Sequence, residues 1–295
     1  MVQLRAVTTE ISGLSIKTKV SGTWQNAKPH VKVSGTWEPV RTVWSKVNGG
    51  WVSTYEHEYV YTFAAGTHTD VDLDTLGLDK FNHVRIVIPS NATLIASSTS
   101  TYALKTGTGY GGTLTIENNG VVYGRGGNGG GGGYQYPSAG SMITPEAGGS
   151  GGDAIHIENT VTIDNNGTIL GGGGGGGGGE GTYIYRHAGG GGGGGGAPYG
   201  TGGVGRTANG SQSYNAANGA TATLTSGGAG GAGARAVSGS VFFYGGTGGN
   251  GGNIGVDGSS GGFTPSSVTH STGVGAGGAD GTAYYNPSNF TITQI

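Results

Sequence analysis

The sequence predicts a mostly irregular, all-β protein with N-terminal β-hairpin repeats, a small β region and a bundle, or sandwich, of antiparallel polyglycine II helices. Glycine supplies 71 of the 295 residues and is concentrated in runs such as 171–179 and 189–196. A KVSGTW motif recurs near the N-terminus. No segment keeps the 3.6-residue apolar period of an amphipathic helix. These observations divide the chain at about residues 55 and 123.

Residues 1–55 contain a threefold repeat: KVSGTW at 19–24 and 32–37, and KVNGGW at 46–51. Each copy places Ser-Gly or Asn-Gly between β-forming residues, which predicts a strand, a tight turn and a strand. A unit of this size cannot bury a tryptophan alone. Two interpretations stay open: a self-contained β-meander, or a docking module with three similar faces. The candidate docking residues are Trp24, Trp37, Trp44 and Trp51.

Residues 56–123 predict a β-rich region, because short β-branched or aromatic stretches alternate with turn residues. The predicted strands are YVYTF (59–63), VRIVI (84–88), ATLIA (92–96) and TLTI (113–116). TDVDLDTLGLDKFNH (69–83) is compatible with one helical turn, and FTITQI at the C-terminus predicts a further strand. TIENNG at 115–120 is echoed by TIDNNG at 162–167. Each copy predicts a strand, an Asn-Asn-Gly turn and a strand that continues into a glycine run.

The glycine runs predict packed helices rather than a flexible linker, because they recur over half of the chain and enclose short aromatic segments. A polyglycine II helix has three residues per turn and a rise of ~3.1 Å, and its N–H and C=O groups point outward on three sides. Side by side, such helices can bond to each other, and a Cβ would obstruct that approach. Residues within runs, such as Asn128, Thr247 and Asn250, are therefore expected at the bundle surface.

Short links between long runs make successive runs antiparallel, so the links alternate between two ends of the bundle. If the first run starts at the β region, the far end receives segments 134–147, 180–188, 206–225 and 256–272. The near end receives segments 153–170, 197–199 and 235–244. Phe242, Phe243 and Tyr244 are accordingly predicted to pack at the near end.

Composition and spacing disfavour several functions. A net charge of −2 without a basic stripe argues against nucleic-acid binding. No apolar stretch is long enough to insert in a membrane. The chain has no cysteine and no HxxxH spacing, and its many GxGxxG matches are uninformative at this glycine content, so we expect no metal or cofactor.

Two clusters of polar residues are candidates for chemistry. His156 and Glu158 would share one side of a strand, which is more typical of a polar surface than of a metal site. Asp153, Asp164 and Glu180 could supply a carboxylate pair for glycan hydrolysis. Asp164 and Glu180 are expected one run length apart, which is too far for that chemistry. We therefore expect no enzyme, with a polysaccharide depolymerase as the enzymatic alternative.

The segment GVVYGRGGNGGGGG from Gly120, followed by VTIDNNGTILGGGGGGGGG and a second pure glycine run, resembles the receptor-recognising adhesins of T-even-like phages. The resemblance covers roughly residues 100–290 and implies a sandwich of polyglycine II helices whose variable loops touch the host receptor. It also implies a virion protein, made in the host cytoplasm, at the distal tip of a long tail fibre. The N-terminal xVxGxW repeats depart from that family and are more similar to modules of other phage tail proteins.

On this resemblance, residues 1–55 form a domain that attaches to a trimeric tail-fibre protein. Residues 56–123 form a β-rich region that connects this domain to residues 124–295, which form the sandwich with receptor-binding loops. The receptor would be an outer-membrane protein or lipopolysaccharide. Aromatic, methionine and arginine side chains on loops are typical interface hot spots, and GSQSYNAANG has a paratope-like composition. The candidate receptor-binding residues are Tyr134, Tyr136, Met142, Tyr183, Tyr185, Arg186, His187, Tyr214, Phe263 and His270. A fibre-borne depolymerase and a purely structural glycine-rich protein are the alternatives.

Overall fold

The computed structural model describes residues 16–20, 22–27, 29–40, 42–81, 83–135, 142–183, 187–209, 214–238, 240–263 and 270–295. Within these ranges there is no α-helix, and the 3-10 turn at Leu73–Thr75 falls where one helical turn was expected. The remaining described residues form short β-strands, extended segments and the turns between them. The protein is therefore all-β.

The N-terminal strands form three separate antiparallel pairs, β1 with β2, β3 with β4, and β5 with β6. Their bounds are β1 Ile16–Val20, β2 Thr23–Ala27, β3 His30–Val33, β4 Thr36–Pro39, β5 Thr42–Val47 and β6 Gly50–Glu56. The turns of the last two pairs have positive φ at both central residues, at Ser34 and Gly35 and at Asn48 and Gly49, as the tightest hairpin turns require. All four tryptophans are exposed, with Trp51 at 67%.

The next strands include those of a parallel arrangement that extends well beyond residue 123, together with shorter antiparallel pairs. Their bounds are β7 Glu58–Thr62, β8 Gly66–Thr69, β9 Val71–Asp72, β10 His83–Ile88, β11 Ala92–Ile95, β12 Leu104–Lys105, β13 Leu114–Asn118, β14 Val121–Tyr123, β15 Tyr134–Gln135, β16 Met142–Ile143, β17 Ile155–His156, β18 Val161–Asn165, β19 Thr168–Leu170, β20 Thr182–Tyr183, β21 His187–Ala188, β22 Ala208–Asn209, β23 Arg235–Ser238, β24 Val241–Tyr244, β25 His270–Ser271, β26 Tyr284–Tyr285 and β27 Ile292–Gln294. The predicted strands near 59–63, 84–88, 92–96 and 113–116 and at the C-terminus are confirmed.

Three parallel sheets wind into a β-helix. Their strand orders are β27-β18-β13-β10-β7, β19-β14-β11-β8 and β26-β17-β12-β9. Each successive coil of the chain adds one strand to each sheet until the fifth coil, which adds β27. The sheets therefore stack the coils directly, one residue above its equivalent in the next coil.

The β-helix core is a set of aligned apolar side chains. Val84 pairs with Leu114, and Leu114 with Val161; one step further along the strands, Ile86, Ile116 and Ile163 are aligned in the same way. All six side chains are at most 1% exposed. Each such burial contributes about 1.5–3 kcal/mol. The alternation of inward apolar and outward polar residues in these strands follows from this stacking.

The two Asn-Asn-Gly echoes occupy neighbouring coils. β13 pairs in parallel with β18, and β14 with β19, so each copy lies on the other. Asn118 is fully buried and donates from Nδ2 to Oδ1 of Asn165, at 2.7 Å. Its own Oδ1 accepts from the Gly120 N–H at 3.1 Å. The repeat is therefore a stacking unit, and each copy ends where the chain leaves the β-helix for a glycine run.

The run 171–180 lies at the centre of the glycine-rich part and is buried at every position. Its N–H groups from 172 to 180 donate in turn to three different runs, at N···O distances between 2.6 and 3.3 Å. The acceptor runs are 146–152, 189–197 and 256–262. Its carbonyls accept from three more runs, 124–133, 245–252 and 275–281. Every third residue faces the same neighbour, and six neighbours surround this run.

Ten such runs alternate in direction within the described residues. They are 124–133, 146–152, 171–180, 189–197, 200–206, 216–222, 228–234, 245–252, 256–262 and 275–281. The far-end links connect these runs over 134–145, 181–188, 207–215, 235–244 and 263–274, and their described residues lie opposite the β-helix. The predicted far-end positions of 134–147 and 180–188 agree with this order, as does the near-end position of 153–170, whose β18 pairs with β13.

Two parts of the predicted order are wrong. Segment 206–225 contains a run, 216–222, which hydrogen-bonds to 200–206 through the N–H groups of Ala216, Gly219 and Ala222. Segment 256–272 contains the run 256–262. The run 216–222 reverses the predicted order of the links that follow it, so 235–244 lies at the far end and not at the near end. The second extra run, 256–262, restores the order, so the link that begins at 263 is at the far end. The physical reason is that an outer run needs glycine only where it faces its neighbours, so Ala, Thr and Ser occur in it.

The outer runs also carry asparagines whose side chains form hydrogen bonds. Asn128, Thr247 and Asn250 are exposed, as predicted. The Oδ1 atoms of Asn128, Asn218 and Asn250 accept from backbone N–H groups of the adjacent runs, at 2.9–3.0 Å. These side chains therefore complete the hydrogen bonding at the bundle surface.

Candidate functional site

The five far-end links are held together as one surface, called here the far-end surface. Strands β22-β21-β20-β25 form a four-stranded antiparallel sheet drawn from three of the links. The β23–β24 pair joins it, because the hydroxyl of Thr182 donates to the Tyr244 carbonyl at 2.8 Å. Tyr214 and Arg235 exchange two backbone hydrogen bonds, at 2.8 and 2.9 Å. Residues far apart in sequence therefore share this surface.

The base of the far-end surface contains polar groups that have hydrogen-bond partners. Glu180 ends the central run and is 3% exposed, and its Oε1 accepts a hydrogen bond from the Ser271 hydroxyl. The N–H of Gly181 donates to the Thr272 hydroxyl at 2.8 Å. Because buried polar groups with partners resist rearrangement, these contacts fix where two of the links leave the bundle.

Three predicted site residues form an aromatic cluster. Tyr183 stacks on His187 with ring centroids 4.7 Å apart and 11° between the planes, and Tyr134 lies 5.5 Å from His187 at a tilt. Tyr134 is 8% exposed and His187 is 3% exposed. These two side chains therefore lie beneath the surface and support it, whereas Tyr183 is half-buried and reaches it.

Three other predicted residues are fully on the outside: Met142 in β16, Tyr214 and Phe263, the last at 68% exposed. His270 lies in β25, whose backbone pairs with that of Tyr183. Tyr136, Tyr185 and Arg186 lie outside the described residues. The structure thus brings Tyr134, Tyr183 and His187 together and leaves the outer three spread over several links.

Sequence reasoning missed the β23–β24 pair as part of this surface. Phe242 and Tyr244 are exposed there, and only Phe243 is buried among alanines. Arg235 lies over Phe242, with Cζ 4.3 Å from the ring centroid, and over Tyr214 at 5.7 Å. The Gly-Ala-Thr pattern of 216–222 could have predicted this position. It indicates an outer run, and one more run places 235–244 at the far end.

The described residues of the far-end surface present aromatic, hydroxyl and guanidinium groups. Within the described ranges, no group of three or more His, Asp or Glu side chains could hold a metal ion. Asp164 lies in the β-helix and Glu180 at the far end, separated by about 28 Å of run at ~3.1 Å per residue. His156 and Glu158 lie on the outside of the β-helix, 3.5 Å apart, with Tyr102 stacked on the imidazole.

The part of the chain that the structure describes has no helix long and apolar enough to cross a membrane.

Comparison with known proteins gives the chain a family. The model of the family Phage tail fibre adhesin Gp38 matches residues 58–295. Among solved structures, the chain is similar to the gp37-gp38 adhesin tip complex of the bacteriophage S16 long tail fiber, at 24% identity and a TM-score of 0.48, over 81% of this chain and 79% of that chain. A search of curated proteins found no match. Because the family model spans most of the sequence, the chain belongs to the Gp38 family of phage tail fibre adhesins, whose function is to bind a receptor during host attachment.

Proposed function

We propose that the far-end surface contacts the host receptor, an outer-membrane protein or lipopolysaccharide, from the distal tip of the tail fibre. The observation that carries this proposal is the gathering of five links at the end opposite the β-helix, with Met142, Tyr214 and Phe263 exposed on them. Aromatic and arginine side chains are frequent hot spots of protein interfaces, and the far-end surface presents such side chains from several links.

The glycine runs are the rigid support of that surface in this proposal, as a sandwich of polyglycine II helices. The support for this assignment is the threefold alternation of hydrogen-bond partners along 171–180. A bundle with backbone hydrogen bonds on every side holds its links in fixed positions. The side chains of the links are then presented without a large entropy cost on binding.

Attachment to the fibre is assigned to the N-terminal pairs. Residues 1–55 would form the attachment domain, and the β-helix would connect them to the glycine runs and their receptor-binding links. Trp24, Trp37, Trp44 and Trp51 are exposed on three similar hairpins, which suits a trimeric fibre protein with three equivalent faces. The matched family region begins at residue 58, so these hairpins lie before it.

Binding without catalysis is the proposed mode of action. Adhesion requires complementary groups held in place, and the far-end surface supplies aromatic, hydroxyl and guanidinium groups. A depolymerase would need a carboxylate pair at hydrolytic spacing, and Asp164 and Glu180 do not provide it. Incubation of the protein with host polysaccharide should leave the chain-length distribution unchanged, and shortened chains would favour the enzymatic alternative.

The test of the proposed function is an exchange of links. Replacing 207–215 and 263–274 with the corresponding links of a family member that attaches to a different host should transfer the host range. Replacing the near-end link 253–255 is the matched control and should leave host range unchanged. Adsorption of phage carrying each chimera to both hosts measures the outcome. Host range that follows the near-end exchange instead would refute the proposal.

A further inference from the structure

Arg235 occupies the middle of a row of aromatic residues on the far-end surface. It lies opposite Tyr244 in the β23–β24 pair, and on its other side its backbone bridges to Tyr214. Side chains directly opposite each other on adjacent antiparallel strands lie within about 4.5–5.5 Å at Cβ, so both tyrosines flank the arginine. Phe242, two residues from Tyr244, completes the set. The fold thus places one guanidinium group among three aromatic side chains.

The guanidinium stacks on rings and has no carboxylate partner within the described ranges. Its Cζ lies 4.3 Å from the Phe242 centroid, a distance at which a cation–π interaction attracts the group to the ring. Its Nε is buried and has no hydrogen-bond partner among the described residues. By contrast, Arg85 is paired with both Glu58 and Glu117 at 3.1 and 2.9 Å. A guanidinium held over a ring, with no carboxylate partner, can offer its two terminal Nη groups to a bidentate acceptor.

Charge is segregated along the molecule. The five far-end links contain no aspartate or glutamate, although the whole chain has 16 acidic residues against 14 lysines and arginines. The two nearest carboxylates belong to run ends and are engaged: Glu146 faces Arg206 at 4.0 Å, and Glu180 accepts from Ser271. An unpaired cation in a carboxylate-free region attracts anions and repels other cations.

Other exposed side chains of the far-end surface favour a protein over a saccharide as the source of the anion. Phe263 and Met142 present exposed apolar side chains from two other links. A protein loop can cover such side chains with its own apolar groups, whereas a hydrated saccharide core covers them poorly. Aromatic, methionine and arginine side chains are also the types enriched in protein–protein interfaces.

We propose that Arg235 is the anion-binding hot spot of the far-end surface, and that it takes a carboxylate from an acidic extracellular loop of an outer-membrane protein. This inference rests on the proposed function, because it needs the far-end surface to be the one that meets the receptor. The guanidinium would donate two parallel N–H···O bonds to the carboxylate, with the flanking tyrosines excluding water.

The variants that test it are Arg235→Gln, which removes the charge, and Arg235→Lys, which keeps the charge but not the planar fork. The matched control is Arg125→Gln at the near end. Arg125 is also stacked on an exposed tyrosine, with Cζ 5.4 Å from the Tyr199 ring, and it donates to the Tyr199 carbonyl at 3.0 Å. Thermal melts of each variant establish that it is folded.

Binding of the full-length protein is measured on outer-membrane vesicles prepared from the host. Arg235→Gln should weaken the affinity by about 10- to 100-fold, Arg235→Lys by less, and Arg125→Gln by less than about twofold. Amidation of vesicle carboxylates should lower wild-type binding to the level of Arg235→Gln and should leave that variant unaffected. Protease treatment of the vesicles should abolish specific binding.

Outcomes that contradict the inference about Arg235 differ from outcomes that contradict the proposed function. If Arg235→Gln binds as wild type while Phe263→Ala binds weakly, the inference about Arg235 is wrong and the proposed far-end surface stands. If neither variant changes binding, the proposed function itself fails. If protease-treated vesicles still bind and removal of lipopolysaccharide phosphates abolishes binding, the anion is a saccharide phosphate and the carboxylate assignment is overturned.

Discussion

Glycine at the centre of the bundle is required by distance rather than by flexibility. A Cβ built on Gly175 would lie 2.0 Å from the Asn128 carbonyl oxygen, far inside van der Waals contact. The same holds along the whole central run, where the obstructing atoms are backbone atoms of neighbouring runs. Backbone atoms that are hydrogen-bonded on several sides cannot move aside independently, so even one methyl group separates two runs.

Gly175→Ala should therefore destabilise the protein by about 3 kcal/mol or more, at the upper end of the cost of overpacking. The control is Gly111→Ala, where an added Cβ would meet nothing closer than 3.6 Å and φ is not in the left-handed region. Chemical denaturation of both variants measures the difference. Equal stability of Gly175→Ala and wild type would show that the run is not packed.

At the scale of the element, an outer run differs from an inner run in the chemistry of its exposed side. The inner run 171–180 finds backbone partners on every side, whereas an outer run lacks neighbours on one side. Asparagine extends a carbonyl group from that side to the next run, as Asn250 does to the Gly230 N–H at 2.9 Å. Asn253 makes the equivalent bond to Gly227 at 3.0 Å. The asparagines are therefore part of the bundle's hydrogen bonding.

Asn250→Ala should lower stability by about 0.5–1.5 kcal/mol, because one hydrogen bond is lost and water can replace it only in part. Asn250→Asp keeps an acceptor oxygen at the same position and should lose less. Thermal melts of the two variants at neutral pH give the comparison. If the aspartate variant is as unstable as the alanine variant, the side-chain acceptor is not the stabilising group.

The tryptophan hairpins and the far-end surface belong to different parts of the chain. The hairpins with their tryptophans precede the β-helix in sequence, and the glycine runs leave two of its coils, after β14 and after β19, to end at the far-end surface. The aligned interior of the β-helix provides the buried apolar core from which the runs extend. A protein with this plan can change its links without altering its core.

Trp37→Ala and Trp51→Ala should each weaken co-purification with the trimeric fibre protein, since both rings are more than 60% exposed and their loss removes contact area rather than core packing. Melting temperature and binding to host cells should stay unchanged. Phe81→Ala, which removes an exposed ring from the β-helix, is the control. Normal fibre binding by both tryptophan variants would refute the proposed attachment surface.

The sequence predicted the features that depend on neighbouring residues. It predicted the strands of 56–123, the Asn-Asn-Gly echo and the antiparallel order of the first four runs. These predictions succeeded because β-branched stretches, turns and pure glycine segments are local patterns. It failed at 216–222, where alanine and threonine occupy the outward side of an outer run. One missed run displaced 235–244 to the wrong end, and with it Arg235, Phe242 and Tyr244.

The sequence by itself determined that glycine runs would pack, that they would alternate in direction, and that aromatic links would lie between them. Only the tertiary structure decided that residues 58–123, 153–170 and 282–295 share one parallel β-helix, and which links meet Arg235. The reason is that these pairings join residues 47 positions apart, such as Asn118 and Asn165, or 21 apart, such as Tyr214 and Arg235. Such contacts are set by the packing of whole coils and runs, and no local pattern of residues encodes them.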